Sequence, residues 1–382
     1  MKLDIKTLLG KGGAEVIIKE HLESELLAGK KLLVKFGADP TSPDLHLGHA
    51  VALRKLRQFQ DADHQVVFII GDYTARIGDP SGKSKTRPAL SREEIDKNAE
   101  TYFAQAGKIL DIKKLEIHHN SEWFEQESDW AVRLARLFTA QRILERDDFT
   151  KRLKDGVEIY LHELLYPVMQ AYDSVKISAD VEIGGTDQKF NMLAGRDLQR
   201  HMGLKEQDIV TVPLLVGLDG AHKMSKSLNN YIGLTDEPNV MFGKVMAVPD
   251  ELIDSYYELL VEGKRRTADP RDAKLELGQI IVDTYHGKGA GRKAQDEFVR
   301  VFSKKEKPSD IPEIMVDAKE LPLVELLVKT GLVKSKSEAR RLIEQGGVKI
   351  DDAKQADPNA VIPLTKPVTV QAGPRKFVKI RV

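Results

Sequence analysis

Five short strand-like runs, the first four giving way to longer amphipathic segments, constrain the fold of this 382-residue chain more than any other feature. They are Leu32 to Phe36, Val66 to Gly71, Leu115 to His118, Val181 to Ile183 and Ile209 to Val216. The second, rich in Val and Ile, reads as a buried parallel strand. Helical periodicity fills the intervals at Ala14 to Leu27, Ala50 to Phe59, Trp123 to Arg152, Tyr160 to Val175 and Asp187 to Met202. A further helix opens at the capping box Ser91-Arg92-Glu93-Glu94 and runs to about Ile109. Strands alternating with helices predict an α/β domain with a doubly wound parallel sheet, whose ligands bind off the carboxyl ends of the strands.

After Val216 the pattern changes. Residues 237–303 carry helical segments with charged faces, interrupted at Pro249 and Pro270, and no convincing strand. Lys304 to Pro312 has the composition of a linker. Beyond it an apolar helix, Leu323 to Val328, precedes a second capping box, Ser335-Lys336-Ser337-Glu338. That box starts a helix burying Ala339, Leu342 and Ile343, with Lys336, Arg340 and Arg341 on or near its exposed face. Short strands follow at Val348 to Ile350, Val368 to Val370 and Phe377 to Ile380. The expected domains are 1–228, a helical domain 229–303, a linker 304–320 and an α+β tail 321–382.

Charge bears on the tail. Lys plus Arg equals Asp plus Glu over the chain, 59 against 59, yet residues 321–382 hold twelve basic against six acidic side chains. Such a tail suits a polyanion. With no cysteine, disulfides, thiolate nucleophiles and Cys-ligated zinc are excluded. The ten histidines lack HExxH-like spacing, so no metal site is expected. The first residues lack the apolar core of a signal peptide, and no apolar run is long enough to span a bilayer. A cytoplasmic protein without membrane partners is the expectation.

Two short stretches carry the chemistry. Between the first strand and its helix lies Pro40-Thr41-Ser42-Pro43-Asp44-Leu45-His46-Leu47-Gly48-His49. His46 and His49 share a face of the first helical turn, where free N–H groups and the dipole already favour negative charge. Gly48 offers no side chain, so a base or ribose could lie against the backbone. Paired imidazoles there suit a phosphoryl group gaining charge in a transition state. After the last strand comes Lys223-Met224-Ser225-Lys226-Ser227, on a glycine-flanked loop at the same sheet edge. Two lysines and two hydroxyls can fold over a polyphosphate and neutralise departing pyrophosphate. Tyr166, Gln170 and Asp173 share one helix face, which gives a phenol, an amide and a carboxylate to a stripe that would ordinarily be apolar.

HxGH after the first strand and KMSKS after the last resembles the paired signature of class I aminoacyl-tRNA synthetases. Phe36-Gly37-Ala38-Asp39-Pro40-Thr41, Ile77-Gly78-Asp79-Pro80-Ser81-Gly82-Lys83, Tyr166-Pro167-Val168-Met169-Gln170-Ala171-Tyr172-Asp173 and Ile183-Gly184-Gly185-Thr186-Asp187-Gln188 resemble, in order, blocks of the bacterial tyrosine-specific branch. The resemblance implies a Rossmann-like catalytic domain, a helical domain that meets the anticodon region of tRNA, and an S4-like RNA-binding tail. It assigns ATP to Asp39, Thr41, His46, Gly48, His49, Gly185, Asp187, Lys223, Lys226 and Ser227. Transition-state and pyrophosphate contacts fall to His46, His49, Lys223 and Lys226, joined by Lys83 and Arg87. Asp173 would accept the substrate's phenolic hydroxyl, Asp79, Tyr166 and Gln170 would hold its ammonium group, and Gln188 would contact the bound amino acid or adenylate. Lys336, Arg340 and Arg341 are the tRNA-binding candidates.

The activity implied is ATP-dependent ligation of L-tyrosine to its tRNA through tyrosyl-adenylate. Mg2+ would accompany ATP, with no prosthetic group, in a homodimer. One departure stands out: Lys35 occupies a position where many bacterial members carry a tyrosine that helps read the substrate hydroxyl, so no second phenol contact is assigned. The alternatives are a tryptophan-specific synthetase, which Asp173 and the S4-like tail disfavour, and a small-molecule nucleotidyltransferase, which needs neither the helical domain nor a basic tail. A non-catalytic RNA-binding relic would have damaged motifs, and both histidines and both lysines are present.

Overall fold

The computed structural model describes residues 5–13, 15–79, 90–261, 267–303, 311–373 and 376–381. Its described residues fall in two compact units, Met1–Gln295 and Asp296–Val382. No helix among the described residues is long and apolar enough to cross a membrane.

In the first unit the apolar runs pair as their alternation requires. Strands β1 (Glu15–Ile17), β2 (Leu33–Ala38), β3 (Gln65–Ile70), β4 (Leu115–His119), β5 (Val181–Gly185) and β6 (Asp208–Val212) form one sheet in the order β1-β6-β5-β2-β3-β4. All neighbours are parallel except β1 on β6. The chain winds outward from β2 through β3 to β4, and on the other side from β5 to β6. The switch point, where such sheets open a crevice for ligands, therefore lies between β2 and β5. Helices Leu47–Asp61, Leu161–Lys176 and Lys189–His201 flank it.

Three stretches differ from the sequence reading. The expected helix 14–27 starts only at Lys19, because Ile18 is left-handed (φ 57°) and Glu15–Ile17 instead caps the open edge of β6 as an antiparallel strand. The expected helix 123–152 is broken into Ser121–Phe124, Trp130–Ala135, Ala140–Leu144 and Asp147–Lys154. One break is a local cap, the Thr139 hydroxyl accepting from the Arg142 amide at 3.1 Å. These pieces bury Trp123, Trp130, Leu134 and Phe149 against Val67 and Ile69 of β3 and Tyr172. The last strand stops at Val212, short of the expected Val216, since Pro213 has no N–H to continue the ladder.

The capping box closes as predicted: Ser91 Oγ accepts from Glu94 N at 3.2 Å and Glu94 Oε2 from Ser91 N at 2.9 Å. Beyond the sheet, Pro238 and Pro270 are the first residues of helices Pro238–Met246 and Pro270–His286, a position where the missing N–H costs nothing. These helices pack within the first unit. Tyr256 donates to the Val216 carbonyl at 2.7 Å, and Lys108 to the carbonyls of Leu234 and Tyr285 at 3.2 and 3.1 Å. Residue 228 is thus no boundary between compact units.

The second unit contains β7 (Glu313–Met315), β8 (Glu320–Pro322), β9 (Val348–Ile350), β10 (Ala353–Gln355), β11 (Val361–Pro363), β12 (Val368–Ala372) and β13 (Lys376–Arg381). They form a sheet β10-β9-β12-β13-β7 and a ribbon β11-β8. Helices Leu323–Lys329 and Lys336–Glu344 cover a core of Leu326, Leu327, Ala339, Ile343, Val370 and Ile380. The expected linker holds β7 and the first residue of β8. Glu313 aligns with Lys379, whose ammonium meets its carboxylate at 3.0 Å, so the sheet begins before residue 321. Three-residue strands leave no periodicity to read. Residues 304–310 of that stretch lie outside the described residues.

Candidate active site

The crevice at the switch point is a cleft of about 690 Å³. The turn after β2 supplies Asp39, Thr41, Ser42, His46, Gly48 and His49 to its wall. The segment after β6 supplies Lys223 to Ser227, and helix Leu161–Lys176 supplies Tyr166, Gln170 and Asp173. Asp79, Gly185, Asp187 and Gln188 complete it. Both motifs therefore face one cavity of a size that holds a drug-sized ligand.

His46 is the residue before helix Leu47–Asp61, and its amide donates to His49 Nδ1 at 3.2 Å. With Nδ1 accepting, the neutral His49 ring carries its proton on Nε2. The two rings lie 3.9 Å apart between centroids. Burial, joined by the positive charge of Lys226, pushes His49 down to about 3; burial and the neighbouring imidazole push His46 down as well. Both rings are consequently neutral hydrogen-bond donors at neutral pH, not cations. Among the described residues His46 Nδ1 has no hydrogen-bond partner. Gly48 is required by packing: a Cβ there would sit 2.9 Å from the His46 ring and 3.6 Å from Met224 Cβ.

The turn is also stitched to the chain just beyond the lysine loop. Leu47 N donates to Ile232 O, Leu234 N donates to Leu45 O, and His46 forms an isolated bridge with Gly233. On the loop itself, Lys226 contacts the Ser42 hydroxyl, and burial lowers its ammonium to about 8 against the opposing pull of Asp44. Lys223 pairs with Asp187 at 2.5 Å, so two residues expected to meet ATP are here each other's partner.

Two hydrogen-bonded networks line the rest of the cleft. Asp173 is 4% exposed, and its carboxylate accepts from Trp123 Nε1 at 3.0 Å and Asn120 Nδ2 at 3.4 Å. Burial raises its pKa to about 7 although the Lys35 ammonium and these donors oppose the shift. Asn120 also donates to Thr74, which donates to Asp39 Oδ1, while the Tyr166 hydroxyl donates to Asp39 Oδ2, each step 2.8–3.0 Å. Gln188 donates to Asp79 at 2.8 Å, and Asn191 donates to Gln188 and Gln170 at 3.1 and 2.9 Å.

Lys35 is fully buried beneath these networks. Its ammonium binds Glu182 at 2.9 Å, the Gln170 carbonyl at 2.8 Å and Ser174 Oγ at 2.7 Å. Those three partners use its three N–H groups, leaving none for a substrate phenol. Glu182 in turn accepts from Gln170 Nε2 at 3.1 Å, so the pair fixes an amide that lines the cleft. Lys35→Met should lower the unfolding free energy by about 3–5 kcal/mol, because it strands a buried carboxylate, while Lys35→Met with Glu182→Gln should recover most of the loss. Urea denaturation decides, and a single variant as stable as the parent would refute the pairing argument.

Sequence reasoning missed Trp123, Asn120, Thr74, Ser42 and Glu182. A signal existed for the last: Lys35 and Glu182 are opposite charges inside two apolar strands, and the sheet sets them side by side. The others become neighbours only through the fold. Lys83 and Arg87 lie outside the described residues. Lys336, Arg340 and Arg341 are exposed on helix Lys336–Glu344 of the second unit, with Lys336 paired to Glu325 at 2.7 Å.

Known proteins resemble this chain in sequence and in fold. Residues 27–303 match the family described as tRNA synthetases class I (W and Y), and residues 304–371 match the tyrosine–tRNA ligase SYY-like C-terminal domain. The chain is 48% identical to the tyrosine–tRNA ligase of Aquifex aeolicus, across 98% of this chain and 97% of that one. It is 49% identical to the tyrosine–tRNA ligase of Chlorobaculum tepidum, across 96% and 94%. In fold it is similar to a tyrosyl-tRNA synthetase from Archaeoglobus fulgidus solved with L-tyrosine, with a TM-score of 0.63 and 24% identity over 77% of this chain and all of that one. By these matches the chain belongs to the class I tRNA synthetases of the tryptophan and tyrosine group, on the bacterial tyrosine-specific branch.

Proposed function

We infer that this chain is a tyrosine–tRNA ligase, joining L-tyrosine to its tRNA at the expense of ATP. The observation that carries the reading is a single cleft lined by two opposite chemistries: a buried, hydrogen-bonded carboxylate, Asp173, and a group of neutral imidazoles with two lysines. Tyrosine lies with its phenol on Asp173 and its ammonium group among Asp79, Tyr166 and Gln170. Its carboxylate attacks the ATP α-phosphate in line, and pyrophosphate leaves. His46 and His49 donate to the phosphoryl oxygens as their charge grows, and Lys223 and Lys226 neutralise the β- and γ-phosphates. Asp187 gives up Lys223 to the phosphates and turns to the ribose beside Gly185. Thr41, Gly48 and Ser227 shape the nucleotide side, Asp39 joins it to the Asp173 network by holding Tyr166 and Thr74, and Mg2+ is carried in by ATP. A hydroxyl of the terminal ribose of the tRNA then attacks the tyrosyl carbonyl of the adenylate, forming the ester as the bond to phosphate breaks and AMP leaves. No covalent enzyme intermediate is needed; positioning does most of the work.

ATP–pyrophosphate exchange with tyrosine, tryptophan and phenylalanine in parallel tests the reading. Exchange with tyrosine alone is expected, and exchange driven best by tryptophan would overturn it.

The second unit and the helices beyond residue 229 serve the tRNA in this proposal, with Lys336, Arg340 and Arg341 on its phosphates. Truncation after Ser303 should leave tyrosine-dependent exchange within about two-fold while cutting tRNA charging at least about ten-fold, the scale of losing a few phosphate contacts. Full charging by the truncated chain would contradict this role. The enzyme works in the cytoplasm as a homodimer. Val132, Leu153, Val157, Tyr160 and Leu161 are large apolar side chains left exposed within 30 residues of chain, as a surface covered by a second copy would be. Sedimentation equilibrium at micromolar concentration should report twice the chain mass; a monomer there would remove this part.

A further inference from the structure

The two lysines over the nucleotide side sit on a loop whose backbone is gathered by one buried side chain. Residues 215–217 and 222–224 run antiparallel: Val216 bridges Lys223, Met224 N donates to Leu215 O at 2.7 Å, and Gly217 N donates to His222 O at 2.8 Å. Gly220, at φ +72°, makes the turn between them. Past the lysines the chain reverses at Asn229, a left-handed residue with φ 52°, and delivers Asn230 back under the loop.

Asn230 is 3% exposed, and its amide is spent entirely on this loop. Its Oδ1 accepts from Ser225 N at 2.7 Å. Its Nδ2 donates to Asp219 Oδ2 at 3.0 Å and to the carbonyls of Lys223 and His222 at 3.2 and 3.4 Å. Its own carbonyl accepts from Leu218 N at 2.8 Å. Asp219 is braced for the role, since the amides of His222 and Ala221 donate to its Oδ1 at 3.1 Å each. Gly217 makes room: a Cβ there would lie 2.4 Å from the Asn230 amide. The contacts bracket Lys223 and Lys226, and neither lysine's ammonium takes part in them.

We propose that Asn230, seated on Asp219 beneath Gly217, is a positioning residue that locks the Lys223–Ser227 loop in the arrangement that grips the triphosphate of ATP. The proposal rests on the ligase reading for its ligand. The bonds hold backbone on both sides of the first lysine and the amide just before the second, so losing them frees both ammonium groups at once. Tyrosine meets none of these atoms, and its binding is untouched.

The test is Asn230→Ala in the full chain, read three ways. With two or more hydrogen bonds lost, the KM for ATP in tyrosine-dependent exchange should rise about ten-fold or more. The dissociation constant for tyrosine, from equilibrium dialysis, should stay within about two-fold, a split that general loss of fold would not give. Trypsin should cut after Lys223 and Lys226 about ten-fold faster, as local opening becomes easier. A second pair of variants guards against a folding defect. Asn230→Asp alone sets two carboxylates together and should mimic the alanine variant, whereas Asn230→Asp with Asp219→Asn restores an amide-to-carboxylate bond and should recover part of the ATP affinity and trypsin resistance. Unchanged KM and cleavage in Asn230→Ala, or no recovery in the exchanged pair, would overturn the proposal. If the parent shows no tyrosine-dependent exchange, the ligase reading fails instead, and trypsin alone still decides whether Asn230 locks the loop.

Discussion

Replacing Lys226 with alanine is expected to slow tyrosine-dependent pyrophosphate exchange by about two to three orders of magnitude, the usual cost of removing a preorganised group aimed at transition-state charge. Tyrosine affinity should change less than about two-fold, because Lys226 touches Ser42 and neither Asp173 nor the groups bonded to it. The ammonium is held at about 8 by burial, so it is charged at neutral pH and loses its proton as pH rises. Exchange in the parent should therefore fall above pH 8, and Lys226→Arg, which keeps its charge, should flatten that fall even with a lower maximum. A bound triphosphate favours the charged form and shifts the decline to higher pH when ATP saturates. Active-site titration with stopped-flow fluorescence would measure it, and a normal rate in Lys226→Ala would remove the lysine from the mechanism.

The second large effect concerns the choice between tyrosine and phenylalanine. Asp173→Asn should narrow the preference for tyrosine by about 100-fold or more, because a site built around a hydroxyl rejects its analogue through an unpaired buried acceptor; tyrosine-specific synthetases are themselves the reference example of that effect. The parent should show the same loss through pH. Its carboxylate sits at about 7, raised by burial, so the charged acceptor is present above that value and disappears as pH falls through it. The ratio of kcat/KM for tyrosine to that for phenylalanine should be flat above pH 8 and shrink toward pH 6. Lys226 titrates for both substrates alike and cancels in the ratio. A ratio independent of pH in the parent, or unchanged in Asp173→Asn, would detach Asp173 from recognition.

What could be read from the chain alone follows the range of the interactions. Strand and helix placement came from local patterning, and Ser91, whose partners lie three residues away, was legible down to its hydrogen bonds. The two motifs were legible because spacing and strand context locate them without coordinates. The holders of Asp173 were not: Trp123 and Asn120 lie 50 and 53 residues from it in sequence. The role of Lys35 was opaque for a related reason. A lysine inside an apolar strand signals something buried and paired, but only the register that sets it beside Glu182 says what. Where a broken rule did carry information, as in the polar stripe of Tyr166, Gln170 and Asp173, it marked the cleft.

The stitching of Leu45, Leu47 and His46 to residues 232–234 has a kinetic consequence. The lysine-bearing segment leaves the sheet after Val212 and is pinned again beside the imidazoles within about twenty residues, so it behaves as a leash with both ends tied. An opened leash of that length keeps its cations at an effective concentration of roughly millimolar around the mouth of the cleft. In the proposed reaction, admission of ATP and release of pyrophosphate would then alternate quickly, because each recapture is a short-range search and not a fresh encounter.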